Sequence, residues 1–554
     1  MQQPIYRAIL LGLVILVILI VLPHPFATND GPVHLAFSHL ILTSHQNDLP
    51  LQHLAYLIQL KPNPNLAVYL LMAALMRIFS PAVTESLIQL CCLIAPMLAA
   101  YFAIGRINPR NVWLSVFVLP ISLNQMFFLG LYNHCLSTAA FFLVVGTYFW
   151  MSKSPSVLRA LVLYGTLLLA FACHASGFIM SVAGTVSLSL AAGVLSCRRS
   201  ASIPAAIKEQ RYVLGVLLAL TPLAGWFLSA GTKSVTTYDV PLHSRLWQFF
   251  RLEELAANYP LADRFPAAII SWLLLCGFFV VSVRLIRNRS ELSIERRDKA
   301  LGVLAGTAVA MAIMLAFPDR MGGGWTHFRR FEIFPFFWVL LVLAFGSFSA
   351  LFRTIFMAVG TSATLFLLTS AVVRQRAVRE QMAPLAVADR IIGNHCTVLP
   401  IVLEPRPVGV YKNRIWMVYE PYYEAASGLE LTGDRMVLFN YLARLDAYPV
   451  HFRPEIEPQR VIFHWQPKQE EVRLEKVDVP AFEQASGLDV DYIIVWGGFQ
   501  RTRPGMKDQV RAALSGYGSI YSSPDDLFTL YRRQSVHNSY CSEPPAGAAT
   551  ATAN

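Results

Sequence analysis

The chain has 554 residues, 55% of them hydrophobic and 14% charged, with a formal net charge of +11. An ordinary soluble protein carries about 25% charged residues, so this composition excludes a soluble globular chain. The positive balance does not point to nucleic acid either, because Lys and Arg fall in short loops between apolar stretches, as they do on the cytoplasmic side of membrane proteins.

The first apolar stretch, residues 7–22, is long enough to cross a bilayer. "LPHPF" follows it in place of a small-x-small cleavage site, so it reads as a retained signal anchor. Residues 23–64 then form a first outer loop that opens with "HPFATNDGPVHLAFSHL". Val33, Phe37, Leu40 and Ile41 recur at helical spacing, with His34 and Ser38 elsewhere on the wheel. The pattern predicts an amphipathic helix over 31–45 lying at the membrane interface. Asp30 is placed to cap that helix, with Gly31 and Pro32 in its first turn. If helical geometry begins at Asp30, Asp30 and His34 share a face.

Further apolar stretches lie at 65–79, 84–104, 112–128, 134–150, 157–173, 177–196, 212–230, 266–284, 300–317, 331–349 and 352–373, which with the first makes twelve. Basic clusters put three loops inside: Lys153 with Arg159; Arg198, Arg199, Lys208 and Arg211; and Arg284, Arg287, Arg289, Arg296, Arg297 and Lys299. The loops 231–265 and 318–330 and the tail after 373 are then outside. Twelve crossings from a cytoplasmic N-terminus would leave the tail inside, so one stretch does not cross. Pro120, Asn124, Gln125, Gly130, Asn133 and His134 predict a broken or half-crossing helix within 112–150, since non-helical backbone is tolerated at membrane depth where it lines a cavity. The short stretch 65–79 is the other candidate, and about eleven crossings are expected.

From about residue 380 the composition changes, and "CTVLPIVLEP", "RVIFHW", "VDYIIVWGGF" and "LFTLYRRQ" read as strands. The expected organisation is an α-helical polytopic membrane domain at 1–379, a small extracytoplasmic α/β domain at 380–535 and a disordered tail at 536–554. The eight cysteines show no CxxC spacing. Cys396 and Cys541 lie in the polar part, where a disulfide is available to them outside the cytoplasm.

A single anchor, a long outer loop with an acid near its start, some ten more spans and a small outer domain resemble the GT-C superfamily of integral membrane glycosyltransferases. The motifs that carry the resemblance are "NDGPVH" after the first span, "GLYNHCLSTAAFFL" at 130–143, "LAFACHASGF" at 169–178, "GGGWTHFRRFEIFP" at 322–335 and the terminal "VDYIIVWGG…LFTLYRR". Many members carry a paired acid in the first loop; here Asp30 stands between Asn29 and Gly31.

The resemblance implies transfer of a sugar from a polyprenyl-phosphate-linked donor to a glycan, lipid or protein acceptor at the outer face of a bacterial cytoplasmic membrane. It puts Asp30 as the general base, with inversion at the anomeric carbon. His34 is a second catalytic candidate, by orienting the base, binding a divalent metal ion or lying at the interface, and His39 follows it at the cavity. A departing phosphate needs cations, and Arg320, Arg329 and Arg330 stand in an outer loop against the positive-inside bias. Arginine contacts phosphate oxygens bidentately. Asn133, His134, His174, His327 and Glu332 are candidates to line the substrate cavity, because polar groups in spans usually face one. His134 and His174 also fit simple interhelical hydrogen bonds. The acid, His34 and an outer-loop arginine are expected to converge on one cavity. Two other classes remain: a transporter or flippase of a lipid-linked substrate, which predicts internal repeats, and a non-catalytic assembly protein.

Overall fold

The computed structural model describes residues 2–45, 48–200, 202–223, 225, 236–258, 260–287, 293–320, 328–403, 420–445, 448–458, 477–497, 504–535 and 541–542. Chain contacts divide it into two compact units. The first comprises Met1–Pro25, Pro62–Val68 and Ser86–Val372, and the second Phe26–Lys61, Tyr69–Glu85 and Val373–Asn554. The first outer loop, expected with the membrane part, therefore groups with the C-terminal domain.

Seven described helices are long and apolar enough to cross a membrane: Pro4–Val21, Pro81–Ile107, Tyr132–Lys153, Ala175–Arg199, Ala262–Arg287, Ile294–Ala316 and Ala350–Ile391. Val157–Cys173 and Ala67–Met76 are apolar but shorter. Ten residues of helix extend about 15 Å, half of a bilayer's hydrocarbon core of about 30 Å, so Ala67–Met76 is too short to cross. The stretch 112–128 is not one helix. It is a 3-10 run, Pro109–Phe117, and two short helices, Val118–Ser122 and Gln125–Phe128. The break falls where the polar residues predicted it, and the helix Tyr132–Lys153 after it is continuous. Asn111 donates to the carbonyls of Ala344 and Gly346, at 2.9 and 2.8 Å. Asn124 caps the last short helix by accepting from Phe127 N at 3.0 Å. These side chains satisfy backbone that a regular helix would have paired.

Within the first unit, Trp338 of the helix Arg329–Leu343 is wedged against two glycines. A Cβ added at Gly184 or Gly306 would stand 2.6 Å from its ring. The absence of side chains at these two positions is what allows three helices to close around the indole.

The second unit is built on a five-stranded sheet. We label its strands with those of a small two-stranded sheet in chain order: β1 Tyr56–Ile58, β2 Cys396–Val402, β3 Arg435–Val437, β4 Val450–Phe452, β5 Tyr492–Trp496, β6 Tyr517–Ser522 and β7 Phe528–Arg533. The sheet order is β3-β2-β5-β7-β6. β2 runs parallel to β3 and β5, and β7 antiparallel to β5 and β6. Three of the four expected strands are thus present, and "RVIFHW" lies outside the described residues.

The first outer loop is stitched into this domain. β1 pairs antiparallel with β4, Tyr56 opposite Phe452. The Gln52 amide donates to the carbonyls of Glu430, Gly433 and Arg435. Asp434 accepts from Leu51 N and Gln52 N, at 2.9 Å each. Cys396 and Cys541 form a disulfide, and Ser542 N donates to Asn394 O. The chain is therefore held at 541–542; the rest of the tail from 536 lies outside the described residues.

The helix Gly31–Thr43 corrects one expectation. It was expected to float its polar face at the interface, but Val33, Phe37 and Leu40 are buried and so are His34, Ser38 and Thr43. Ser38 and Thr43 turn their hydroxyls back onto the carbonyls of His34 and His39. Small hydroxyl side chains that bond within their own helix bury cheaply, so a periodic pattern here marks a core helix.

Candidate functional site

Asp30 sits at the N-cap position of that helix, but its side chain makes no capping hydrogen bond. Its backbone is already near helical (φ −94°, ψ −5°), whereas a capping residue is typically extended. Thr28 does the work instead: its Oγ1 accepts from Gly31 N at 3.2 Å. Two further contacts fix the approach. The Gln375 side chain both accepts from Ala27 N (2.6 Å) and donates to Ala27 O (2.9 Å). Asn29 Oδ1 accepts from Glu420 N. The turn is held on both sides of Asp30 without using its carboxylate as the cap.

Around the half-buried Asp30 the second unit gathers acids and phenols. Glu424 is 2% exposed, and burial, followed by the Asp30 charge, pushes its carboxyl well above the usual range. Burial also raises Tyr69, with Tyr448 and Asp30 adding to it. Tyr423 is raised likewise, by burial and then by Glu424, Glu420, Tyr441 and Asp30. His34 follows one turn after Asp30, its N–H donating to Asp30 O at 2.9 Å. Its ring is buried, with Nδ1 2.6 Å from the Tyr69 hydroxyl. His39 is half-buried, and burial lowers it.

The first unit holds a different cluster. Arg330 donates to His174 Nε2 at 3.2 Å. His174 Nδ1 lies 2.7 Å from Ser176 Oγ and 3.1 Å from Ser176 N. Ser176 Oγ in turn stands 2.9 Å from His134 Nδ1, and the two imidazoles meet edge to face at 5.2 Å. Three separate sequence motifs thus meet in one chain of hydrogen bonds. Arg329, next door, donates to Gln125 Oε1 at 3.0 Å and pairs with Glu254 at 3.8 Å. Burial pushes Glu254 up to about 7, with Arg329 opposing the rise. Glu332 is 1% exposed, and neither of its carboxylate oxygens has a hydrogen-bond partner among the described residues.

Other candidates have different settings. Arg320 pairs with Asp239 at 2.8 Å and its strand-like backbone bridges to Thr237. Asn133 accepts from Val68 N and donates to Asn65 O. It thereby holds the 65–68 turn, where Asn65 has φ 91°. His327 lies outside the described residues.

Sequence reasoning did not find Thr28, Gln375, Glu424 or Ser176, and it read Gln125 only as a mark of the broken helix. Thr28 left a trace only as a hydroxyl residue of the capping type shortly before a helical pattern. Glu424 left none.

Among the described residues, the one group of three metal-capable side chains is Cys396, Asp491 and Cys541. It does not fit a metal: the two sulfurs are bonded to each other, and a metal needs the thiolate. Asp491 is engaged by Thr397 N at 2.8 Å.

No protein-family model matches the chain, and no curated protein matches its sequence. Among solved structures, the apo oligosaccharyltransferase of Archaeoglobus fulgidus aligns with 96% of this chain and 74% of its own, at 12% identity and a TM-score of 0.46.

Proposed function

We propose that this chain is an integral membrane glycosyltransferase that moves a sugar from a polyprenyl-phosphate-linked donor to an acceptor at the outer face. The observation that carries the reading is the Asp30 carboxylate, held in a fixed turn and relieved of the capping role that would otherwise account for it.

In this reading Asp30 takes the proton of the acceptor hydroxyl as that oxygen attacks the anomeric carbon. The phosphate departs from the opposite side, and the configuration inverts. The departing charge needs a fixed cation, and in the first unit Arg330 is the candidate for it. Arg329 is engaged by Glu254 and Gln125, and Arg330 donates to His174 Nε2. A fixed cation beside a low-dielectric membrane stabilises a leaving phosphate far more than it would in water. The Ser176 and histidine relay sets the guanidinium in place.

The path is N-terminus inside and C-terminal domain outside. The Cys396–Cys541 disulfide supports that side, because such bonds persist outside the cytoplasm. Eleven crossings follow if the broken element 109–128 counts as one and Ala67–Met76 does not cross.

The test supplies membranes containing the full chain with a radiolabelled polyprenyl-phosphate-linked sugar and follows label into acceptor. Transfer by the wild type and none by Asp30→Asn is expected. Equal transfer by both would overturn the assignment of the base, and label that crosses the membrane still lipid-linked would make the chain a flippase.

A further inference from the structure

We propose that Glu424 is the positioning acid of Asp30: its carboxyl, protonated on Oε2, donates to the Asp30 carboxylate and fixes it in its reactive orientation. The inference deepens the assignment of Asp30 as base and rests on it for its functional consequence.

Three observations carry it. The segment Glu420–Glu424 is tied to the Asp30 turn by the bond from Glu420 N to Asn29 Oδ1. The helix Gly31–Thr43 packs on the turn Ala425–Leu431 that follows Glu424. Glu424 is almost wholly buried, and its Oε1 accepts from Tyr441 N at 3.1 Å. Its Oε2 has no hydrogen-bond partner among the described residues, and the Ser427 hydroxyl lies near without meeting bonding geometry. A buried carboxylate with one N–H donor and a second acid beside it would be strongly disfavoured as an anion. Two neighbouring carboxyls settle this by sharing out protons: the drier one stays neutral and the wetter one ionises. The proton belongs on the oxygen that Tyr441 does not use.

The other titratable groups about the pair are Glu430, Glu420, Tyr69, Tyr423, Tyr441 and Tyr448, together with His34 one turn on. Among the described residues, the charges that act on Glu424 are those of Asp30 and Glu430, both acids. The acid beside Asp30 thus comes from the C-terminal domain, as a proton donor to the base.

The test uses the full chain in lipid nanodiscs and infrared spectroscopy of the carboxyl stretch, which needs no substrate. At neutral pH, wild type minus Glu424→Gln should show loss of a protonated carboxyl band. Loss of ionised carboxylate bands instead would overturn the proposal. In Asp30→Asn the same band should titrate at a pH lower by about one unit or more, because the like charge that raised it is gone. An unmoved midpoint would overturn the coupling, and this arm stands even if Glu424→Gln fails to fold. In transfer assays Glu424→Ala should lose about tenfold or more in turnover with KM kept. Glu424→Gln, which keeps a donor, should recover most of it and lack the fall in activity at alkaline pH. Equal losses in both variants would overturn the donor role. If the infrared result holds but no variant transfers sugar, the acid pair stands and the transferase reading fails.

Discussion

Around Asp30 the second unit collects carboxyls and phenols, Glu424, Tyr69 and Tyr423. Around Arg330 the first unit collects imidazoles and a hydroxyl, His174, Ser176 and His134. In the first unit Arg329 meets Glu254 and Arg320 meets Asp239. The two settings differ in kind: carboxyls and phenols stand beside the carboxylate, and neutral hydrogen-bonding groups stand beside the guanidinium.

The largest expected effect breaks the comparison on the acidic side. Asp30→Asn should lower turnover by about 10²–10⁴-fold, the usual contribution of a positioned base, with the apparent affinity for lipid-linked donor kept. Steady-state transfer kinetics check this.

Next, the two units should differ in their response to reductant. The described disulfide, Cys396–Cys541, closes a separation of 145 residues in the second unit. Its removal in Cys396→Ser should cost at most about 5 kcal/mol in the chain-entropy model. Limited proteolysis should show the second unit opening while the helices of the first stay protected.

A third effect is one of pH. Glu430 is buried, its Oε1 bonded to Tyr56 and Val437 N, and burial pushes it up to about 7 from 4.5. An acid whose folded value is raised contributes stability below its unfolded value, and that stability is lost as pH rises to the folded one. The second unit should therefore lose roughly 3 kcal/mol between about pH 4.5 and 7 from this group. Glu430→Gln should flatten that slope in thermal melts taken across the range.

On the cationic side, Arg330→Ala should weaken donor binding about ten- to a hundredfold, the range for one lost charged hydrogen bond. Arg329→Ala should cost stability first, because it strands Glu254. Donor titration and melting of the two variants separate these outcomes.

The sequence disclosed whatever depends on local pattern. Long apolar runs gave the spans, alternating β-branched runs gave β2, β5 and β7, and Pro120 with Asn124 and Gly130 marked the broken helix. Gly130 does adopt a left-handed φ of 79°. His134, His174 and Arg330 were each visible as polar residues out of place, though not as neighbours. The rest depends on distant packing. The helix Gly31–Thr43 has an interfacial pattern, but its burial is settled by what covers it. Asp30 has the spacing of a cap, but one hydrogen bond from Thr28 takes that role away. Glu424 comes from the far end of the chain, and no periodicity links it to the first loop.

The smallest effect, set beside the largest, gives the most direct test of Asp30. Thr28→Val removes the acceptor for Gly31 N and should cost about 1 kcal/mol, the worth of a helix cap. Turnover and melting temperature should be measured for Thr28→Val and Asp30→Asn side by side in the purified full chain. The account predicts a crossover: Thr28→Val melts earlier and still transfers sugar, while Asp30→Asn melts near the wild type and does not. An Asp30→Asn variant that melts early and transfers normally would make Asp30 the cap after all, and would contradict its role as the base.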